Sequence, residues 1–227
     1  MAQALLSRAS WASLRQRLLT IDCCSLCDAS SKKARVIDTV RPLKLGYKMA
    51  GVARTVSIRG DFLGVLHAIR DASAGEVLMI DAGLDISQRR DEWPATGGMF
   101  GELLALEAQR KGLAGLVIDG NVRDTAAQRT LDIPIYSRGV HPNAGTATEP
   151  GKMQEPVQLA GVVVRPGDLV VGDDDGVVVA TESELEAWLP AAEQIQQREA
   201  EIFGAVQQGT PLLELHPINE LGARLPH

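Results

Sequence analysis

The amino-acid sequence predicts an α/β fold, and three observations lead to that prediction. Between residues 51 and 137, strand-like segments alternate with helix-like segments, which favours a sheet with at least partly parallel pairing. Between residues 161 and 180, short valine-rich runs are separated by PGD and DDDG, which are turn sequences typical of antiparallel strands. From residue 181 onward, the pattern indicates a long helix.

The length and composition fit one globular domain. The chain has 227 residues, of which 45% are hydrophobic, so a substantial core can form. We expect a single domain over residues 1–227, with a C-terminal helical extension over about residues 181–208.

The charge and hydropathy argue against several classes of partner. The formal net charge is −6, which disfavours general binding to nucleic acids or anionic membranes. No apolar run reaches transmembrane length, and aromatic residues make up only 4% of the chain, too few for extensive stacking on bases or sugars. We therefore expect a cytoplasmic protein with no nucleic-acid partner and no membrane partner.

The first twenty residues have three arginines and no acid, a composition that resembles a transit peptide. However, Leu14, Leu18 and Ile21 are spaced i, i+4 and i+7, which favours an ordinary amphipathic helix. A second short helix is predicted over Asp22–Ala29. It contains Cys23, Cys24 and Cys27, which we interpret as packed thiols, because no second CxxC and no nearby histidine completes a metal site.

The next segments build the alternating part of the chain. Residues Gly51–Ile58 alternate apolar and polar side chains and predict a half-buried strand. We expect Asp61 to cap the helix that follows and that ends near residues 73–75. Residues Glu76–Asp81 form an apolar run and predict a buried strand.

A glycine-rich loop opens the central stretch. Gly97, Gly98 and Gly101 run directly into helix-forming residues, and Gly112 is expected to end that helix. The spacing predicts one apolar helix face, formed by Phe100, Leu103, Leu104 and Ala108.

After this helix, the run AGLVID predicts a buried strand whose end turns at Gly120 and presents Arg123 and Asp124. Backbone N–H groups at a helix start and a guanidinium both attract anions, and a carboxylate suits a hard divalent cation. The combination therefore suits a small substrate that carries a carboxylate. The alternative is that Arg123 and Asp124 form only a salt bridge at a strand end, which would leave the glycine loop unexplained.

The following segments are a short helix capped by Thr125, a strand over Ile133–Ser137, and a polar loop over Arg138–Pro156 that is long enough to be functional. Asp173, Asp174 and Asp175 could bind a metal. Because Asp-Gly lies between two valine-rich runs, we interpret them as part of a hairpin turn.

Thr181 and Glu184 form a capping box at the start of the last helix. An apolar stripe with spacings of 4, 3, 4, 3 and 4 follows, and Glu199 interrupts it with a charge; its positions are Trp188, Ala192, Ile195, Glu199, Ile202 and Val206. Two interpretations remain open. Glu199 either reaches into a site, which could belong to a neighbouring subunit, or lies at the edge of the stripe in contact with solvent.

Several motifs together carry a resemblance to a known family. They are CDAS at 27–30, MAGVARTV at 49–56, GD at 60–61, FGELLA at 100–105, DGNVRD at 119–124, SRGVHP at 137–142 and PGDLVVGDDDGVVV at 166–179. In this order they closely resemble the 4-hydroxy-4-methyl-2-oxoglutarate / 4-carboxy-4-hydroxy-2-oxoadipate aldolases and their relatives, the regulators of ribonuclease E activity. The GELLA and VRD motifs with their spacing are the most specific part.

The resemblance implies a swivelling β/β/α fold with a central mixed sheet, a small antiparallel part and a long C-terminal helix. It implies assembly as a homotrimer or a hexamer, with sites between subunits. It also implies a class II pyruvate aldolase that uses Mg²⁺ or Mn²⁺, cleaves 4-hydroxy-2-oxo acids to pyruvate and a 2-oxo acid, and decarboxylates oxaloacetate. The non-catalytic alternative within the same family is a protein that binds and regulates a ribonuclease.

The same resemblance assigns roles to individual residues. Backbone groups of Gly101, Glu102, Leu103 and Leu104 would hold the pyruvyl carboxylate.

Arg123 would bind the substrate and stabilise the enolate, and Asp124 would coordinate the metal directly or through its waters. Glu102 would lie near those waters, and Glu199 best matches the acidic residue that a neighbour's C-terminal helix contributes. In the loop that starts at His141 the chain departs from the family pattern, so the distal group of the substrate stays open.

The residues are consistent with metal-assisted chemistry. A divalent metal polarises the 2-oxo group and stabilises the enolate, Arg123 is an oriented donor, and a water whose pKa the metal lowers would act as the base. Lys111 is the only lysine in the central stretch and lies at the far end of its helix, which disfavours a Schiff-base aldolase.

Overall fold

The computed structural model describes residues 8–83 and 97–215. In this part of the chain the helices are α1 (Arg8–Leu18), α2 (Cys23–Ala29), α3 (Leu63–Asp71), α4 (Glu102–Arg110), α5 (Thr125–Gln128), α6 (Glu182–Gln207) and α7 (Leu212–Leu215). The strands are β1 (Arg35–Ile37), β2 (Arg41–Pro42), β3 (Met49–Ser57), β4 (Glu76–Asp81), β5 (Gly98–Phe100), β6 (Gly115–Val122), β7 (Ile135–Val140), β8 (Lys152–Met153), β9 (Val157–Leu159), β10 (Val162–Val164), β11 (Leu169–Gly172) and β12 (Val177–Ala180). The first seven residues of the transit-peptide-like segment and residues 216–227 of the tail lie outside the described residues.

A large mixed sheet forms the centre of the fold. Its order is β1-β12-β11-β3-β4-β6-β7-β2, with β5 added to β6 and β8 added to β3. Strands β3, β4, β6 and β7 are parallel, whereas β11 pairs antiparallel with both β3 and β12. Strands β9 and β10 form a separate two-stranded antiparallel sheet. The predicted α/β fold, with its central mixed sheet, small antiparallel part and long C-terminal helix, is confirmed.

Both faces of the central sheet are covered. Helices α3 and α4 pack on one face of the parallel strands, and the β9–β10 sheet packs on the other face. Helices α1, α2 and α6 cover the antiparallel strands β11 and β12. Residues 51–57 do lie in a strand, as predicted, but the prediction that it is only half-buried is wrong. Strand β3 contributes Val56 to the core on one face of the sheet and Ala53 to the core on the other face.

Several helix signals act as the sequence predicts. Leu14 and Leu18 are buried, which confirms an amphipathic helix α1. Asp22 caps α2 by accepting a hydrogen bond from Ser25 N at 2.6 Å. The capping box of Thr181 and Glu184 is present at the start of α6.

The details around the central stretch differ from the prediction. Residues 98–100 are a strand rather than a loop, and α4 buries Ala105 and Ala108, while Leu103 is 76% exposed. Strand β6 continues through Gly120 to Val122, so Arg123 is the first residue after the strand. Asp124, and not Thr125, occupies the N-cap position of α5. Pairing of β5 with β6 continues to Phe100 and Val122, which accounts for the strand at 98–100 and for the extension of β6 beyond Gly120.

The hairpin interpretation of Asp173 is confirmed. Strands β11 and β12 pair antiparallel around this turn, and Asp173 is a buried carboxylate that accepts hydrogen bonds from Cys23 N at 2.9 Å and Lys48 Nζ at 3.0 Å. Burial and then Asp173 raise the pKa of Cys23, whereas Cys24 is exposed and its pKa is raised to about 11, so neither thiol is a ready thiolate. Among residues 8–83 and 97–215, no cluster of three metal-ligating side chains occurs, and no helix could span a membrane.

Candidate functional site

A small pocket of about 190 Å³ lies where β5 and β6 end. The N-terminal residues of α4 form one side, and Arg123 and Asp124 form another. Phe62 and Ala144, from two other segments, complete its wall. The pocket therefore lies at the carboxyl edge of the parallel strands, where ligands bind in many open α/β sheets.

The pairing of β5 with β6 brings the two halves of the pocket together. The strands run parallel, with Phe100 opposite Val122, so Gly101 and Arg123 leave the sheet side by side. The Arg123 N–H donates to Phe100 O at 2.9 Å and fixes this arrangement. The structure thus brings together Gly101, Glu102, Leu103, Leu104, Arg123 and Asp124, all of which the sequence singles out.

Arg123 and Asp124 form an ion pair that is open to solvent. Arg123 Nε lies 3.0 Å from Asp124 Oδ2, and the side chains are 36% and 33% exposed. The backbone N–H of Glu102 donates to the same oxygen at 3.4 Å. Among the described residues, both of these contacts fall on Asp124 Oδ2.

The backbone at Asp124 is unusual for a residue with a side chain. Its φ of 56° and ψ of 37° lie in the left-handed region, which aspartate and asparagine tolerate better than most residues. This conformation occurs at the N-cap position of α5, directly after Arg123. The tight turn therefore sets the orientation of the ion pair toward the start of α4.

Steric space explains two of the glycines. A Cβ atom on Gly101 would lie 2.6 Å from Asp124 Oδ2, and a Cβ atom on Gly98 would lie 2.7 Å from His141 O and 2.9 Å from Arg123 Cβ. Neither glycine has a positive φ, so the requirement is for close approach and not for backbone conformation. The glycine-rich segment thus lets the Arg123–Asp124 turn approach α4.

The start of α4 is suited to an anion. The first N–H groups of a helix have no acceptor within the helix, and the helix dipole adds partial positive charge there. Gly101 is the N-cap and supplies no side-chain oxygen to occupy them. Leu103 and Leu104 lie within this first turn and line the pocket, so a carboxylate bound there would meet their N–H groups beside Arg123, next to the Glu102 N–H that donates to Asp124.

Asp124 fits a Mg²⁺ ion that keeps most of its waters. Because no three carboxylate, histidine or cysteine side chains cluster within residues 8–83 and 97–215, a ligand cage made only of protein groups is absent there. Mg²⁺ is commonly held by one or two carboxylates, with water and substrate completing an octahedron. The exposed carboxylates of Asp124 and Glu102 at the pocket provide this kind of donor set.

Glu199 does not join the pocket within one protomer. It lies on α6 in an apolar groove of about 510 Å³, together with Ile195, Ile202 and Phe203, and this groove shares no residue with the pocket at Arg123. Glu199 is exposed there. The assignment of Glu199 to a neighbouring subunit's site stays a prediction.

Asp61 is a residue whose role the sequence analysis misses. It is 3% exposed, and its Oδ2 accepts hydrogen bonds from Thr148 N at 2.6 Å and Thr146 Oγ1 at 2.7 Å, while Oδ1 accepts from Leu63 N at 2.8 Å. Burial disfavours its charge, but these hydrogen bonds outweigh it and hold the pKa of Asp61 well below its usual range.

Asp61 therefore anchors the loop that supplies Ala144 to the pocket. The predicted helix cap is partly right, since Leu63 N is bound, but Phe62 is the N-cap residue. The sequence indicates only that this loop is polar and long enough to be functional. Its contact with Asp61 depends on tertiary structure.

Comparisons with known proteins identify a family that the chain resembles. A family model described as RraA-like, Aldolase/RraA, matches residues 23–179. A protein of Halalkalibacterium halodurans named "Putative 4-hydroxy-4-methyl-2-oxoglutarate aldolase" is 36% identical over 178 residues, covering 78% of this chain and 80% of the relative. A protein of the same name from Alkalilimnicola ehrlichii is 29% identical over 170 residues, covering 74% of this chain and 100% of the relative.

A solved structure is similar over most of the chain. Streptomyces coelicolor RraAS2, described as an unusual member of the RNase ES inhibitor RraA protein family, superposes with a TM-score of 0.69 at 30% identity. The match covers 83% of this chain and 94% of that one.

Proposed function

The chain belongs to the RraA-like family of aldolases and RraA proteins, and from this premise we propose that it is a divalent-metal-dependent pyruvate aldolase. Its substrates would be 4-hydroxy-2-oxo acids such as 4-hydroxy-4-methyl-2-oxoglutarate, which it would cleave to pyruvate and a second 2-oxo acid. The observation that carries the proposal is the meeting of the α4 N-terminus, Arg123 and Asp124 in one small pocket.

Each group of residues in the pocket would have a separate role in the reaction. The N–H groups at the start of α4 would hold the carboxylate of the 2-oxo acid, with Gly101, Glu102, Leu103 and Leu104 forming the cradle. Arg123 donates to the 2-oxo oxygen, where negative charge develops as the C3–C4 bond breaks. Asp124 would hold the cation. No lysine lines the pocket among the described residues, which argues against Schiff-base chemistry.

The cofactor would be Mg²⁺ or Mn²⁺. When bound, such a cation supplies Lewis-acid polarisation of the 2-oxo group and stabilises the enolate. Glu102, and Glu199 of a neighbouring subunit, would orient water or relay the proton that leaves the 4-hydroxyl group.

The same pocket explains a second activity. Loss of CO₂ from oxaloacetate produces the same pyruvate enolate as aldol cleavage, so the N–H cradle and Arg123 would stabilise both transition states. We therefore propose oxaloacetate decarboxylation as an accompanying reaction.

Assembly would complete the site. We propose a homotrimer or hexamer in which the α6 helix of one protomer approaches the pocket of the next. Leu103 and Leu106, on the same helix as the pocket, and Phe203 on α6 are exposed apolar side chains, which are typical of interaction surfaces when they cluster. Glu199 lies beside Phe203 in the α6 groove, so one contact would bury the apolar residues and deliver a carboxylate.

A second candidate function is a non-catalytic protein that regulates a ribonuclease. The likeness to RraAS2, an unusual member of the RNase ES inhibitor RraA protein family, favours this alternative. The pocket does not separate the two functions, because an RraA-like protein could retain it without turnover.

Pyruvate release decides between them. We would measure pyruvate from oxaloacetate and from 4-hydroxy-4-methyl-2-oxoglutarate, with Mg²⁺ and with a chelator, for the wild-type protein and for Asp124→Ala. Turnover that requires metal and is lost in the variant supports the aldolase. Absence of turnover with both substrates in folded, metal-supplemented protein supports the regulator.

A further inference from the structure

Gln128 is a buried polar residue beside the pocket that the mechanism above does not use. Its side chain is 2% exposed and lies at the end of α5, four residues after Asp124. Its Nε2 donates to two backbone carbonyls, those of Arg123 and Phe100, the latter at 3.2 Å. Its own N–H donates to Asp124 O at 3.1 Å.

These bonds connect the two halves of the pocket. Phe100 O is the last carbonyl of β5, immediately before the N-cap of α4, and Arg123 O lies within the turn that carries the ion pair. Phe100 O also accepts the Arg123 N–H at 2.9 Å. The Gln128 amide therefore lies across the junction of the anion-binding helix start and the Arg123–Asp124 turn.

The other atom of the same amide is unsatisfied. Gln128 Oε1 is buried and has no hydrogen-bond partner within residues 8–83 and 97–215. An unpaired buried acceptor destabilises a folded protein. Its Nε2 is the amide atom that makes hydrogen bonds, so the side chain acts here as a donor to the carbonyls of Phe100 and Arg123.

We propose that Gln128 is a positioning residue that fixes the distance between the N–H groups of α4 and the Arg123–Asp124 pair. The inference rests on the proposed function, because it assigns the residue to the geometry of that reaction. Small displacements of oriented groups have large kinetic effects; a misplacement of about 1 Å can cost about 10²-fold in rate. Gln128 touches no reacting atom and acts only through these two segments.

The first test is Gln128→Met, which keeps the unbranched shape and removes both polar atoms of the amide group. We expect kcat for pyruvate formation from oxaloacetate with Mg²⁺ to fall by about 10-fold to 10²-fold, as for other residues that orient a site's ligands. The thermal unfolding midpoint should change little, because losing the unsatisfied Oε1 opposes the cost of losing the two Nε2 hydrogen bonds. Thr130→Ala is the control, since Thr130 is exposed and, among the described residues, its Oγ1 donates to Ala127 O at the end of the same helix and to neither half of the pocket.

The second test is Gln128→Glu, which makes the role of the donor depend on pH. A protonated carboxyl group can donate one hydrogen bond to a carbonyl, whereas the ionised form cannot. We expect the variant's activity to rise as pH falls through the pKa of the new group, a limb that the wild-type profile lacks. A position that only fills space would not add this limb.

A third readout does not require turnover. The Nε–H resonance of Arg123 in ¹⁵N-arginine-labelled protein, assigned with Arg123→Lys, reports the ion pair with Asp124 directly. It should shift or broaden in Gln128→Met and stay unchanged in Thr130→Ala.

An unchanged Arg123 resonance, or unchanged kcat in Gln128→Met, would overturn the positioning role while leaving the proposed function intact. If the wild-type protein has no turnover, the proposed function is rejected. A shift of the Arg123 resonance in Gln128→Met would even then establish that Gln128 positions Arg123.

Discussion

Replacing Asp124 with asparagine separates the charge of this residue from its structural role. Asparagine tolerates the left-handed backbone that Asp124 adopts at φ 56°, so Asp124→Asn introduces little strain. The ion pair with Arg123 is about one-third exposed on each side, and exposed pairs contribute at most about 1 kcal/mol. For a chain of this size, that loss lowers the unfolding midpoint by about 2–4 °C at most.

The effect on activity should be much larger. A catalytic metal contributes several kcal/mol of transition-state stabilisation. If weaker metal binding removes about 3 kcal/mol of it, the rate falls by about 10²-fold. We would measure pyruvate release at several Mg²⁺ concentrations, alongside thermal unfolding. We expect the variant to need far more Mg²⁺ or to lose turnover altogether.

Two further variants test this prediction. Asp124→Ala removes the same charge but places an alanine at positive φ, which costs about 1–2 kcal/mol of stability, so its midpoint should fall below that of Asp124→Asn. Asp71→Asn is the matched control, because Asp71 also pairs with the preceding arginine, with Arg70 Nε at 2.7 Å, but at an exposed site remote from the pocket lining. Full Mg²⁺-dependent turnover in Asp124→Asn would refute the role of the carboxylate, as would an equal loss in Asp71→Asn.

Three further predictions follow from the same geometry. Gly101→Ala should abolish most turnover in steady-state kinetics, because its Cβ would lie 2.6 Å from Asp124 Oδ2. Gly204→Ala is the control with open space around it, and it should keep activity and raise the free energy of unfolding by about 0.5–1 kcal/mol in denaturant unfolding. Because the folded-state pKa of Asp61 is depressed, its contribution to stability is present above the unfolded pKa of about 3.9 and is lost as pH falls through the folded pKa. The free energy of unfolding, measured from pH 6 to 2, should therefore decline less steeply in Asp61→Asn than in the wild-type protein. If Glu199 serves a neighbouring site, Glu199→Gln and Asp124→Asn protein should each be inactive, but subunit mixing should restore part of the turnover; no recovery in assemblies shown by mass spectrometry to be mixed would contradict the shared site.

The candidate site was more predictable than its immediate surroundings. Arg123, Asp124 and the glycines around Gly101 are close together in sequence, and their residue types carry the chemistry, so local reasoning was enough to select them. The apolar face assigned to α4 was wrong for Leu103, because periodicity identifies apolar side chains without showing whether the surface that covers them belongs to the same protomer.

The sequence by itself determined the α/β class, the capping box of α6, the hairpin turn at Asp173 and the residue types at the site. Each of these follows from interactions within a few residues along the chain, such as hydrogen bonds of caps and turns. Only the tertiary structure revealed that Asp61 anchors the loop of Ala144 and that Gln128 ties Phe100 to Arg123. These contacts join segments that are distant in sequence, and a buried polar side chain finds its partners only when the sheet has brought those segments together.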